Sequence, residues 1–490
     1  MHLTGKLKWL FYPLFAAAGI ILFSAAQNVY NKWMILTMII DKIERFYVDE
    51  KPGEELFDSA VQGVLQSLDP HSAYLSPSSV EQWRRKYEGY HGIGLKYRIH
   101  EGLPVVISLT ENGPAALAGV RLGDVILAID GVSLEQLKIE QIRELILGPV
   151  GSSIELNVRH ARSSSSVTLR VQRQHIKVES VPCAFLLNDS TGYIRISHFS
   201  DSTPMELDLA YARLNGHGMQ QLLVDLRDNM GGTLSAGVAV ADRFLSEGKM
   251  IVYTQGRTRA STKQYMASKT PTMPPTPLVL LVNEATASDA EILAGALQDW
   301  DRALIVGRPT YGKGVVQTEF PFQDGSSLLL TTAKYYTPLG RSIQRSEPYP
   351  PSNHGAVFRT PAGRSVYGGG GIYPDVLLQP PESGTMPLTV PPRNLLDYCA
   401  TLAGEQGLGE MGLDVFARNF KVTPDMIHAC FQNSAAPAGS AGRGRQALLL
   451  KMEIAEILWG TEGQFAVRAC ADPQVQKSVD FLAQARELLR

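Results

Sequence analysis

Beyond residue 30, apolar residues recur at spacings of three and four. Leu36, Ile40, Ile43 and Phe46 mark one stretch, 33–47, and Phe57, Val61, Val64, Leu65 and Leu68 mark the next, 53–68. That period places each set on one face of a helix, so two amphipathic helices are predicted. Pro70 ends the second, because it biases Asp69 toward an extended backbone. From about residue 87 to 174 the pattern shifts to short extended runs at 92–98, 103–109 and 123–131, with short helices at 114–119 and 141–146. A hairpin is predicted over 154–160 and 167–172, joined by a loop containing Ser163 and Ser166.

Between 192 and 380 apolar strands alternate with helical stretches. Strands are predicted at 192–196, 221–226, 250–253, 278–282, 303–307 and 327–335, and helices at 204–214, 235–244 and 289–297. This succession reads as a sheet covered by helices. After Pro392 strands cease. Helices are predicted at 394–404, 425–433 and 446–460, with a flexible Ala/Gly/Ser/Pro connector at 435–444. The resulting plan is 1–26, 27–85, 86–175, 176–385 and 386–490.

The chain has 490 residues, long enough for several cores. Its 46 Lys+Arg against 48 Asp+Glu leave a net charge of -2, so no cationic excess favours nucleic acid. One segment departs from a soluble pattern. Trp9 to Ala26 carries no charge, follows Lys6 and Lys8, and would reach ~27 Å as a helix. It reads as an anchor or uncleaved signal, with removal before Gln27, after Ser24-Ala25-Ala26, as the alternative. Export to a periplasmic or other extracytoplasmic compartment is therefore expected.

Cys183 sits in a strand-like run and reads as a small hydrophobe, while Cys399, Cys430 and Cys470 would permit one bridge. No CxxC or His/Cys cluster has metal spacing, so neither a metal nor a cofactor is expected.

The chemistry concentrates in two segments. Leu281 to Val282 ends a buried strand, and Ser288 follows at the mouth of an Ala/Leu-rich helix. There, free N–H groups and the helix dipole favour developing negative charge. A plain N-cap serine fits the same position. The second segment, Thr310-Tyr311-Gly312-Lys313-Gly314, sets Lys313 between two glycines. Neither segment contains a histidine, so an amine kept neutral by desolvation is the candidate base for Ser288. Gln317 is placed beside Lys313 only if 314–317 bends: four residues span ~6 Å in a helical turn and ~13 Å in a strand.

Two resemblances sharpen these readings. Gly92-Ile93-Gly94-Leu95, Gly113-Pro114-Ala115 through Ala118-Gly119, Gly123-Asp124 and Asp130-Gly131 together resemble a PDZ domain of the permuted type found in bacterial proteases. The resemblance implies that backbone N–H groups at Gly92, Ile93, Gly94 and Leu95 receive a peptide's terminal carboxylate and that the following strand pairs with the peptide. Ser288, Lys313 and Gln317 resemble the serine, lysine and glutamine of the carboxyl-terminal processing peptidases, also called tail-specific proteases. Asp225-Leu226-Arg227 with Asn229-Met230-Gly231-Gly232, Leu68 to Ser72, Tyr335-Tyr336-Thr337-Pro338 and Gly369 to Asp375 fit the same family. The likeness runs from about 34 to 380. Met230 replaces a frequent proline.

The resemblance implies an α/β catalytic core with an inserted PDZ-like β-rich domain and helical N- and C-terminal segments. It also implies a serine endopeptidase that cleaves proteins near accessible apolar C-termini. Lys313 would take the Ser288 proton, and N–H groups of Gly232 and Asp289 would hold the oxyanion. Asp289 stands where many members have a small residue. A carboxylate there is either benign at a helix N-terminus or favours a cationic lysine and slows the enzyme. The competing reading is an inactive PDZ-containing scaffold that binds tails at the membrane. His71, His198 and His217 lack a triad-like context, and Gly368 to Gly371 reads as a glycine turn rather than a phosphate cradle. Asp299 and Arg302 are expected to form a helix-end ion pair, and Arg121 to link the PDZ-like module to the core.

Overall fold

The computed structural model describes residues 31–489 other than 88, 111, 161–162, 164, 269–270, 346–354, 380–397, 400–401, 403–407 and 432–439. The apolar segment at 9–26 and the first half of the 435–444 connector lie outside the described residues. Two compact units emerge, one comprising the chain up to Ser78 with Gln317–Thr331, the other Ser79–Val316 with Thr332–Arg490.

The smaller unit carries both predicted N-terminal helices, at 31–46 and Gly53–Leu65. Leu65 is buried, whereas Trp33, Met38 and Phe46 of the first helix are exposed. The strand Ala73–Leu75, unforeseen in the sequence, pairs antiparallel with Ser327–Leu329. Asp69 accepts from the His71 and Ser72 N–H groups and from Thr331 Oγ1. Burial pushes its carboxyl up, and these bonds more than reverse the effect, leaving it below its usual range.

In the larger unit, the strands Leu95–His100, Leu103–Leu109, Val125–Ile129, Ser153–Arg159 and Ser166–Gln172 form one sheet in that spatial order. Inward Ile126, Ile129, Ile154, Leu156 and Val158 are essentially unexposed and meet Ile142 and Ile146 of the helix Ile139–Ile146. Leu95–His100 lies at the edge of this sheet, so one side of its backbone has no strand partner within it.

The central sheet takes the order Cys183–Leu186, Thr191–Arg195, Gln221–Asp225, Leu278–Val282, Leu304–Gly307 and Val376–Leu377. Its first pair is antiparallel and the others parallel. Alternation explains why its strands read as unbroken apolar runs. Leu222, Val224, Leu278, Leu280, Val282 and Ile305 face one core with the helices Thr203–Gly216, Leu234–Ala241 and Asp289–Asp299. Leu223, Val279, Leu281, Leu304 and Val306 face a second core, built with Phe416, Leu450, Ile454 and Val467 from the C-terminal helices. Both faces are therefore covered, as parallel sheets require.

Several expectations are corrected. The helix predicted at 446–460 runs from Ser440 to Ala471 and breaks at Trp459 and Gly460, where Gly460 takes φ +60°. A Cβ at Gly463 would stand 2.3 Å from the Ala455 carbonyl oxygen, so the two halves cross in close contact. The second half of the expected connector is thus helix. Asp299 pairs with fully buried Arg341 at 2.6 Å instead of Arg302, whose guanidinium donates to the Thr276 and Pro274 carbonyls. A helix at Pro77–Tyr87 and strands at Lys263–Met266 and Val315–Pro321 went unpredicted, since their polar positions mask the periodicity. All four cysteines are free thiols, and Cys183 is buried as a small apolar residue.

Candidate active site

Three loops leave the carboxyl ends of neighbouring parallel strands, the place where open α/β sheets form ligand sites. The first follows Asp225, the second Val282 and the third Gly307. They carry the glycine turn, Ser288 and Lys313 respectively.

The glycine turn is held from below. Buried Asp225 accepts from Tyr193 Oη at 2.8 Å and from Arg227 at 2.7 Å, with Arg195 at 3.2 Å. Burial pushes its carboxyl up, yet the two guanidiniums overrule that and hold it well below the usual range. Asn229 donates to the Ile196 carbonyl and accepts from the Gly231 N–H. Gly231 has φ +94°, and a Cβ there would stand 2.7 Å from Ser288 Cβ. A Cβ on Gly232 would meet the Phe199 carbonyl oxygen at 1.7 Å, so both positions require glycine.

Ser288 adopts φ +57° and ψ −117°, a backbone that costs on the order of 1–3 kcal/mol outside glycine. The surrounding bonds enforce it. Ala287 N–H donates to the Asn229 carbonyl, and the Glu291 and Ile292 N–H groups donate to the Ser288 carbonyl at 2.8 and 3.0 Å. The first turn of the helix is thus satisfied through the Ser288 backbone.

Fully buried Glu291 joins the second loop to the third. Its Oε2 accepts from the Ser288 N–H and the Lys313 N–H, both at 2.9 Å, while Oε1 accepts from Thr310 Oγ1 at 2.5 Å and Gly312 N–H at 2.7 Å. Two nitrogens sharing one oxygen lie within about 6 Å of each other. Burial pushes the Glu291 carboxyl up, opposed by the four donors. Gly312, at φ +89°, and Gly314 approach Arg345 and Gln344 too closely for a side chain. Thr310 is fixed in turn by the Ile372 N–H, donated to its hydroxyl at 2.7 Å, which gives the Gly369 to Asp375 motif a supporting place.

Asp289 is buried, and its Oδ2 accepts the Gly232 N–H at 2.7 Å. The donor expected for an oxyanion is thus engaged by an internal carboxylate. Burial pushes that carboxyl up, while the Gly232 N–H and the charge of Lys313 pull it down.

Gln317 lies in the strand Val315–Pro321, so the bend expected over 314–317 is an extended segment. It belongs to the smaller unit, where its amide donates to the His71 carbonyl. Gly92, Ile93, Gly94 and Leu95 lead into the edge strand of the β-rich module. Gly94 turns at φ +72°, and the Ala115 N–H donates to the Ile93 carbonyl. Arg121 uses its backbone N–H on Asp124 within that module. His198 is buried with Nδ1 3.0 Å from Ser197 Oγ, and Gly369 and Gly371 donate to the Ser342 and Ile343 carbonyls as a glycine turn would. Among the described residues no cluster of His, Cys, Asp or Glu is arranged to hold a metal.

Sequence reasoning passed over Glu291 and Tyr335 as site residues. A serine followed three positions later by glutamate is a capping-box pattern, and that signal was available at Ser288 and Glu291.

The chain is similar to known proteins over its β-rich module and its central sheet. Residues 190–350 match Peptidase family S41, and residues 105–160 match the PDZ domain. The chain is 33% identical over 323 residues to a carboxy-terminal-processing protease of Bartonella bacilliformis, covering 65% of this chain and 74% of that one. It is 30% identical over 317 residues to the carboxy-terminal processing protease CtpA of Bacillus subtilis, covering 64% and 67%. A solved structure of the photosystem II D1 C-terminal processing protease is 30% identical, with a TM-score of 0.37, over 71% of this chain and 88% of that one.

Proposed function

We propose, since the chain belongs to the carboxy-terminal processing proteases of peptidase family S41 and is a serine peptidase with a PDZ domain, that Ser288 is its nucleophile and Lys313 its general base. Neutral Lys313 takes the Ser288 proton, the oxygen attacks the scissile carbonyl, and water then releases the acyl-enzyme. The observation that carries this reading is the shared Glu291 oxygen, which brings the Ser288 and Lys313 backbones together at the carboxyl end of the sheet. The N–H groups of Gly232 and Asp289 hold the oxyanion once the Asp289 carboxylate leaves Gly232. Gln317 is assigned to the lysine's side of the site on the family pattern alone, and Gln317→Ala tests it separately.

Substrates are proteins with accessible apolar C-termini. The tail's carboxylate meets the N–H groups at Gly92, Ile93, Gly94 and Leu95, and its backbone adds to the edge strand Leu95–His100. The chain works outside the cytoplasm, held at the membrane by residues 9–26. Fractionation of the full chain against one lacking 1–26 tests that placement. No helix among the described residues is long and apolar enough to cross a membrane.

Wild type, Ser288→Ala and Lys313→Met are to be incubated with an unstructured protein bearing an apolar C-terminus. Both variants are expected to lose turnover, by at least ~10³-fold, while binding a tail peptide as the wild type does. Cleavage by Ser288→Ala at the wild-type rate would remove the serine from the reaction. Equal inactivity of wild type and Ser288→Ala, with tail binding intact, would return the chain to the scaffold reading.

A further inference from the structure

Proton transfer between a serine and a lysine needs their heavy atoms ~2.6–3.2 Å apart, and misplacement by ~1 Å can cost ~10²-fold in rate. The two residues sit on different loops, so something outside both must set their separation. Glu291 does this from the N–H side, as described above. Tyr335 does it from the carbonyl side. It lies one residue from the end of the strand Ser327–Tyr336 and is essentially unexposed. Its N–H donates to the Gly314 carbonyl at 2.9 Å. Its phenol oxygen stands 2.6 Å from the Lys313 carbonyl oxygen and 3.0 Å from the Ser288 carbonyl oxygen.

A phenol has one proton, so the two carbonyls share it. Each carbonyl oxygen alone with the hydroxyl oxygen would repel it. Both close contacts persist only while the proton lies between them, which makes the pairing sensitive to the distance between the two loops. Burial pushes the Tyr335 hydroxyl well above its usual value, and the charges of Glu291 and Asp289 add to this, so the proton is retained.

We propose that Tyr335 and Glu291 form a paired bridge, one tying the carbonyls and the other the N–H groups of Ser288 and Lys313, and that this bridge fixes the reacting distance between the two side chains. The proposal rests on the Ser288–Lys313 reading. Tyr335 touches neither substrate nor reacting atoms and is a positioning residue.

Tyr335→Phe removes the shared proton and keeps the ring. Measured on a tail-bearing peptide and expressed per folded molecule, kcat is expected to fall roughly 10–100-fold with KM within about twofold. The acid limb of the kcat/KM profile moves by at least about half a unit to higher pH, because a lysine released from its serine meets more water. Labelling of Ser288 by a fluorophosphonate slows in the same ratio as kcat. Tyr336→Phe, on the neighbouring residue, leaves all three readouts unchanged. Should Tyr335→Phe fail to fold, Glu291→Gln, which preserves size, supplies the same three readouts from the other bridge. Wild-type kcat and an unmoved acid limb would overturn the proposal, and so would a loss of activity that vanishes when corrected for folded protein. A Ser288→Ala chain that still cleaves would instead overturn the reading of the site, leaving the two failures distinct.

Discussion

The C-terminal helices hold the catalytic core and the PDZ domain by the same device, an arginine reaching a carboxylate, and the two ties differ in how completely charge is neutralised. Arg227, beside the glycine turn, meets Asp225 at 2.7 Å and Asp472 at 2.8 Å, and also donates to Gln474 Oε1. Two arginines serve Asp225, each shared with a second carboxylate, Asp228 for Arg195 and Asp472 for Arg227, and together they hold Asp225 well below its usual range. Arg98, on the PDZ edge strand, meets Glu453 of the broken helix at 2.9 Å, with Lys96 donating to Thr461 alongside. There a second carboxylate, Glu456, is buried beside Glu453, and burial first, then Glu453, pushes it up to about 7. One tie braces the glycine turn beside Ser288. The other secures the PDZ domain through an acidic pair in which Glu456 stays raised despite Arg98 and Lys96.

Breaking the first tie should have the largest effect. Arg227→Leu leaves buried Asp225 with Arg195 and Tyr193, and leaves Asp472 to the Gln474 and Val475 N–H groups that it caps. Loss of a buried partner of this kind costs ~3–5 kcal/mol. Chemical denaturation should show that loss, and kcat should fall at least ~10-fold because the glycine turn is no longer braced. A chain that keeps wild-type stability and kcat would show that Arg195 alone suffices for Asp225.

Much of this was legible in the residues. The parallel strands declared themselves as apolar runs because both faces are buried, Lys313 stands between glycines that have no room for a side chain, and Ser288 stands where a buried strand gives way to a helix. The ties were not legible. Arg98 and Glu453 are 355 positions apart and Arg227 and Gln474 are 247 apart, and no local period encodes such pairings. Tyr335 was hidden differently: it sits in a recognised motif, yet its role depends on two carbonyls brought near by other loops. The bend expected before Gln317 failed because the strand Val315–Pro321 pairs with the strand Ser327–Tyr336, a pairing that the polar run Gln317, Thr318 and Glu319 masks.

The second tie should break more selectively. Arg98→Ala leaves Glu453 and Glu456 facing Lys96 alone and is expected to cost ~3 kcal/mol of docking. Hydrogen exchange should rise along Leu95–His100 and around Trp459, while exchange in Leu278–Val282 stays at its wild-type level. Cleavage of a short tailless peptide should change less than cleavage of a tail-bearing protein. Equal loss on both substrates would mean that the PDZ attachment also supports the catalytic sheet. Glu453→Gln in the Arg98→Ala background should restore part of the docking, because the uncompensated charge is gone.

The smallest and most diagnostic change is at Glu456, which accepts from the Gln464 amide at 2.8 Å. Its ordinary value is 4.5 and its folded value about 7, so the fold favours the protonated form. Below pH 4.5 both states hold the proton and nothing is lost. Between 4.5 and 7 stability falls as the unfolded chain ionises first, and above 7 the cost levels off at about 3 kcal/mol. Glu456→Gln should therefore raise the melting temperature at pH 8, leave it nearly unchanged at pH 4, and flatten the slope between. Lys96 and Arg98 oppose the upward shift, so removing Arg98 should move the midpoint of that slope above the wild-type one. A midpoint that stays in place in Arg98→Ala would separate the titration of Glu456 from PDZ docking and leave burial within the helices and the charge of Glu453 as its causes.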